Sequence, residues 1–113
     1  MPDFDRALIR RDFAAAVNMT AAEIAAWLKT PESRRVGCKR GGTGESVGHA
    51  SGRRIVAILN KAETDLTDDD YAHMRKVAGF VKRHGAQRPQ NIYTSRWRYS
   101  LMNWGHDPVK EDR

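Results

Sequence analysis

The stretch Thr67–Gly85, TDDDYAHMRKVAGFVKRHG, decides how the chain folds. Thr67 followed by Asp68, Asp69 and Asp70 is a helix start: a hydroxyl caps free backbone N–H groups, and the carboxylates meet the positive end of the helix dipole. Met74, Val77, Ala78 and Val81 then recur at helical spacing, and Gly85 stands where such a helix stops. The spacing predicts one amphipathic helix over about 68–84. Opposite its apolar stripe fall Arg75, Lys76, Lys82 and Arg83, around the small residues Ala72 and Gly79. A solvated face ordinarily mixes signs, and this one holds no acid. Four cations around small residues would let a phosphate backbone approach closely.

Upstream, the punctuation is helical throughout. Asp3 to Val17 carries Phe4, Leu8, Ile9, Phe13 and Val17, a first helix ending near Asn18. Thr20-Ala21-Ala22-Glu23 is a capping box that opens a short helix with Ile24, Trp27 and Leu28. Thr30-Pro31-Glu32 starts another, kept short by Gly37, Gly41, Gly42 and Gly44. Gly37 to Glu45 reads as a glycine-rich basic loop around Lys39 and Arg40. Ser46 to Lys61 is a helix whose buried side holds Val47, Ile55, Ile58 and Leu59. Ser46, His49, Arg53 and Asn60 project away from that side, with Arg54 and Lys61 at the flank. Gly48 and Gly52 each cost about 1 kcal/mol of helix stability relative to Ala, which points to close approach by a neighbouring helix or a ligand.

Downstream of Pro89, Thr94 or Ser95 caps a last helix ending near Gly105. Trp97, Leu101 and Trp104 share one face and belong to the core, while Arg96, Arg98, Tyr99 and Asn103 point elsewhere. His106-Asp107-Pro108 reads as a turn. No stretch alternates with period two for long enough to make a strand. The fold class is therefore all-α: a compact single domain, 1–113, of five or six short-to-medium helices with a Gly-rich basic loop. Residues 1–3 and 109–113 are expected to fray.

Composition bounds the function. The 113 residues are 40% hydrophobic, enough for one modest core, and one domain is what this length supports. No apolar run approaches the roughly 18–20 residues of a membrane span, and Met1 to Arg11 lacks the apolar stretch of a signal peptide. A single cysteine, Cys38, excludes an internal disulfide and fits a reducing cytosol. Twenty Lys and Arg against fourteen Asp and Glu give a net charge of +6, unevenly spread. Residues 34–61 carry Arg34, Arg35, Lys39, Arg40, Arg53, Arg54 and Lys61 against Glu45 alone. Residues 62–70 carry Glu63, Asp65, Asp68, Asp69 and Asp70 and no cation. Residues 71–106 carry Arg75, Lys76, Lys82, Arg83, Arg88, Arg96 and Arg98 and no acid. Two basic stretches around an acidic knot point to an electropositive surface for a polyanion.

Other chemistries fit poorly. Ala22 to Val36 loosely resembles a helix-turn-helix, with Arg34, Arg35 and Lys39 on or after its recognition helix, but Lys29 replaces the usual turn glycine. Gly37 to Gly44 lacks the Gly-Lys-Ser/Thr of a phosphate loop. Cys38, His49, His73, His84 and His106 have unrelated spacings, so no metal site is expected. Glu45, Ser46, His49 and Ser51 could be drawn as a catalytic cluster, yet Glu45 and Ser46 read as helix-start residues and no acid partner for His49 is evident. Neither an enzyme nor a cofactor is expected.

Asn18-Met19-Thr20, Trp27 to Ser33, Glu45 to His49, Ser51 to Val56, Leu66 to Tyr71, Met74 to Val77 and above all Arg96-Trp97-Arg98-Tyr99-Ser100-Leu101-Met102-Asn103-Trp104-Gly105-His106-Asp107-Pro108 carry a family likeness. On these residues the chain, from about 12 to 110, resembles a family of small uncharacterised bacterial proteins, a domain of unknown function often labelled DNA-binding protein. The resemblance implies a bacterial, cytosolic protein and brings no catalytic residue.

The functional expectation is a DNA-binding protein, nucleoid-associated or regulatory, that contacts mainly phosphates with low or modest sequence specificity. Its site residues are Arg34, Arg35, Lys39, Arg40, His49, Arg53, Arg54, Arg75, Lys76, Lys82, Arg83, Arg96 and Arg98. The alternatives are a module docking an acidic protein partner, or an RNA-binding protein using Tyr99 and the last helix. Pairing into a homodimer would suit the reading of half-sites.

Overall fold

The computed structural model describes residues 5–36 and 44–112. Among these are six α-helices and no β-strand: α1 (Arg6–Ala16), α2 (Ala21–Leu28), α3 (Pro31–Arg35), α4 (Val47–Leu59), α5 (Asp68–Gly85) and α6 (Arg96–Asn103). Short 3-10 turns occupy Glu63–Asp65 and Pro108–Asp112. The local signals act where the sequence places them. Thr20 and Glu23 close a capping box on α2, and Thr67 and Asp70 close another on α5. Asp5, Thr30, Ser46 and Ser95 cap α1, α3, α4 and α6 through side-chain oxygens that accept backbone N–H bonds.

Helix α1 packs along α5 and α2 along α4, while α6 touches α2, α3, α4 and α5 and so joins the two pairs. The core gathers Phe13, Ile24, Ile55, Tyr71, Val77, Trp97, Leu101 and Trp104. Trp97 of α6 and Trp104, which caps its end, are both buried, as the spacing predicts. Gly52 marks a close helix contact: a Cβ there would stand 2.7 Å from the Asn103 carbonyl oxygen and 2.7 Å from Leu28 Cδ2. Neighbouring helices, not a ligand, fill that space.

Four residues depart from the sequence reading. Asn103 is fully buried. Its amide oxygen accepts from Trp27 Nε1 (2.8 Å) and from the Ser33 hydroxyl, and its amide nitrogen donates to the Ser33 carbonyl (3.0 Å). A wheel places polar residues outward by default; here one amide answers polar groups of α2 and α3 that would otherwise be orphaned. Leu59, expected inside, is exposed. His106 and Asp107, read as a simple turn, are buried. Gly105 turns the chain with φ +81°, where Val17 and Ile24 leave no room for a side chain. His106 Nδ1 then meets the Ala16 carbonyl at 2.7 Å, and Asn18 exchanges two hydrogen bonds with the Asp107 backbone. Lys110 bonds the Asn18 carbonyl and Glu23, so the chain is tied down further towards its end than the expected fraying at 109.

Candidate nucleic-acid interface

The acidic knot between the basic stretches is a set of fastenings. Asp70, 4% exposed, accepts from the Thr67 backbone at 3.0 Å and from Lys61 at 2.6 Å, with Arg54 at 3.4 Å. The Lys61 ammonium first, and the Thr67 N–H next, hold its carboxyl down at about 2. Asp68 pairs with Arg6 at 2.5 Å and Glu63 with Arg10 at 3.1 Å, tying α1 to the start of α5. Four of the knot's five carboxylates stand in the helix start or its approach, as the sequence suggests. The structure adds that three of them, Glu63, Asp68 and Asp70, take cations from α1, α4 and the turn after α4.

Much of the described part of the first basic stretch is paired with acids, although the cationic side chains stay partly exposed. Arg53 grips Glu45 with two bonds, 2.7 and 2.5 Å. His49, expected to project outward, lies with Nδ1 against Glu45 and Nε2 2.8 Å from the Leu28 carbonyl, so it latches α4 to the end of α2. Glu45 is thus the acid partner of His49 that the sequence reading did not find. Arg53 above all, with His49, pulls the Glu45 carboxyl down to about 2. Arg35 bonds the Pro31 carbonyl and pairs with Glu32. Arg34 is exposed beside Gly44, Glu45, Ser46 and His49. Lys39 and Arg40 lie outside the described residues.

The helix-turn-helix likeness places α3 as the reading helix, but α3 has five residues, about 7.5 Å of rise. Ser33 at its centre is buried against Asn103. Little of α3 is left to enter a groove.

The second stretch differs. Arg75, Lys76, Lys82 and Arg83 are all exposed along α5, and among the described residues no acid pairs with Lys76, Lys82 or Arg83. Arg75 and Lys82 stand on the α1 side, lining a groove of about 630 Å³ floored by Ala15, Ala78 and Gly79. Asp12 lines the same groove. Lys76 stands on the other flank, where it shares a cleft with Arg54 of α4. The Arg83 guanidinium lies over Gly79, since a Cβ there would come within 3.0 Å of Nη1. The low floor expected between the cations is therefore occupied by one of them. The two basic stretches meet at Arg54 and Lys76, around His73, and again where Arg35 and Arg96 line one groove. Burial first, then Arg54 and Lys76, push the His73 imidazole below its usual value.

The remaining candidates divide. Arg96 shares a groove with Arg35 and Tyr99. Arg98 is a fastening: it bonds both Asp107 carboxylate oxygens, at 3.1 and 3.2 Å, and the Tyr93 carbonyl. Sequence reasoning missed the Ser51–His73 pair, 2.9 Å between Oγ and Nε2, because no local spacing links α4 to α5. Among the described residues no helix is long and apolar enough to cross a membrane.

Fold and surface define a small all-helical protein with an exposed cationic ridge on its longest helix. Residues 12–102 match the family described as Protein of unknown function (DUF3140), and the chain belongs to that family. The description carries no activity or ligand. No curated protein and no solved structure matches the chain.

Proposed function

We propose that the protein binds double-stranded DNA mainly through its phosphates, with low or modest sequence preference, as a nucleoid-associated or regulatory protein of the bacterial cytoplasm. One observation carries the reading. From residue 71 to 106 the chain has seven cations and no acid, and α5 displays four of them on its exposed side. Lys76, Lys82 and Arg83, which face no acid among the described residues, are what a phosphate backbone neutralises, releasing counterions as it binds. The footprint is narrower than the charge count suggests: Arg75, Lys76, Lys82 and Arg83, joined by Arg54 at the cleft, with Arg53 and Arg98 committed to Glu45 and Asp107.

Fluorescence anisotropy with a labelled duplex at several salt concentrations tests this. Affinity should fall along a log–log line of slope roughly -0.9 per phosphate contact, so about -4 for four or five contacts. Absence of binding at low salt, or binding indifferent to salt, overturns the reading.

The α1–α5 groove supports a second one. Its Ile9, Ala16, Ala78 and Val81 surface rimmed by Arg75 and Lys82 suits an acidic amphipathic segment of a protein partner. That reading predicts a stoichiometric protein complex that survives nuclease treatment and leaves duplex DNA unbound.

A further inference from the structure

Gly48, the second residue of α4, leaves a space that an aromatic edge uses. A Cβ at Gly48 would stand 3.1 Å from Nε1 of Trp104. The plane of that indole is set by Phe80, stacked at 4.4 Å and 15°, and by His73 at 6.2 Å and 13°. Trp104 is 5% exposed, and a buried indole N–H, a donor only, ordinarily finds an acceptor. Trp27 and Trp97 obey that rule through Asn103 Oδ1 and the His84 carbonyl. The Trp104 N–H has no acceptor among the described residues. It is not sealed away either, since among the described residues the one enclosed side-chain nitrogen left without a partner is His84 Nε2.

Trp104 lines the cleft of about 420 Å³ between α4 and α5, a volume within the range of small-ligand sites. Arg54, Lys76 and the Ser51–His73 pair line it as well. Lys76 has no acid partner among the described residues. Arg54 has Asp70 at 3.4 Å, the longer of that carboxylate's two ion pairs, and the side chain is 44% exposed. Glu45 also borders the cleft, but its carboxylate is held by Arg53 and His49. The indole of Trp104, the Lys76 side chain and the Arg54 side chain thus line one concavity. A phosphate brings three strong acceptor oxygens and close to two negative charges to two cations and an N–H, where a carboxylate brings one charge.

We propose that the α4–α5 cleft is a binding site for a small phosphate-class anion, inorganic phosphate or a phosphomonoester, held by Trp104 Nε1, Lys76 and Arg54. The site does not depend on DNA binding. A duplex presents the same chemistry in its backbone, and the test separates the two sources.

The indole N–H resonances of the three tryptophans, assigned by triple-resonance NMR, are followed while inorganic phosphate, glycerol phosphate or a short duplex is added at constant ionic strength, with chloride as control. Trp104 should shift to saturation with either small phosphate, while Trp27 and Trp97, already bonded, stay in place. Lys76→Gln, an exposed change that leaves the fold intact, should weaken the small-phosphate response by about tenfold or more, as expected for losing a bond to a charged group. A Trp104 shift no larger than those of Trp27 and Trp97, an unchanged response in Lys76→Gln, or a response to the duplex alone overturns the proposal. Duplex binding without any small-phosphate response would sink this site and leave the DNA reading standing; the reverse outcome would do the opposite.

Discussion

Helices α4 and α5 carry similar clusters of cations and use them in opposite ways. On and just after α4, Arg53, Arg54 and Lys61 each face a carboxylate, and His49 bridges Glu45 to α2. On α5, Lys76, Lys82 and Arg83 face none among the described residues. The glycines differ in parallel. Gly52 of α4 is wedged between Leu28 and the Asn103 backbone, whereas Gly79 of α5 meets only the flexible end of Arg83. Equal charge in the sequence is therefore unequal charge at the surface. What separates the two is whether a neighbouring element brings an acid.

The contrast breaks most visibly at the glycines. Gly52→Ala would drive a methyl into backbone and into Leu28, and overpacking of this kind should cost about 3 kcal/mol. Thermal unfolding monitored by circular dichroism reads it directly; a melting temperature within a degree or two of wild type would show that α2, α4 and α6 can shift apart.

Next in size is the α5 ridge itself. Replacing Lys76, Lys82 and Arg83 together by Gln should weaken duplex binding about a hundredfold at low salt and flatten the salt slope by roughly 2.7, at 0.9 per contact. Stability should stay near wild type, because these side chains hold no acid. By contrast, Arg53→Glu with Arg54→Glu should lower stability first, since it turns two ion pairs into repulsions. Equal loss of DNA affinity from folded versions of both variants would erase the distinction drawn between the helices.

Asp70→Ala removes the carboxylate that caps α5 and takes Lys61 and Arg54. With its carboxyl held at about 2 against a usual 3.8, the loss is about 2 kcal/mol, moderated because both cations are partly exposed and screened. The same depression fixes the acid dependence. Asp70 and Glu45 both titrate lower folded than unfolded, so their contribution is complete above about pH 5 and fades as pH falls towards 2. Urea midpoints measured between pH 6 and 2.5 should drop over that window and flatten in Asp70→Ala. A variant with the same acid dependence as wild type would remove Asp70 from this role.

The smallest effect is a gain. Gly79→Ala should stabilise the protein by up to about 1 kcal/mol through helix propensity, the added methyl only nudging Arg83. A measured loss would mean that α5 is packed more tightly at Gly79 than its surroundings indicate.

Helix starts were legible because they are local. Thr20 with Glu23, Thr30 with Pro31, and Thr67 with Asp70 act within one turn, so spacing alone specifies them. The tryptophans at 97 and 104 were legible because a helix repeats its face. Asn103 was not, since a wheel sorts by polarity and the partners at Trp27 and Ser33 lie some seventy residues away. His49 was half legible. Glu45 stands one turn before it, yet the Leu28 carbonyl that fixes the ring belongs to another helix.

By itself the sequence determined an all-helical chain, its caps, its tryptophan-centred core and two basic stretches around an acidic knot. Those follow from interactions spanning three or four residues and from the period of a helix. Only the tertiary structure decided which cations are spent and which remain. Pairing Arg54 with Asp70 or Arg98 with Asp107 depends on chain segments folding back on each other, and opposite charges cancel by distance in space, not along the chain.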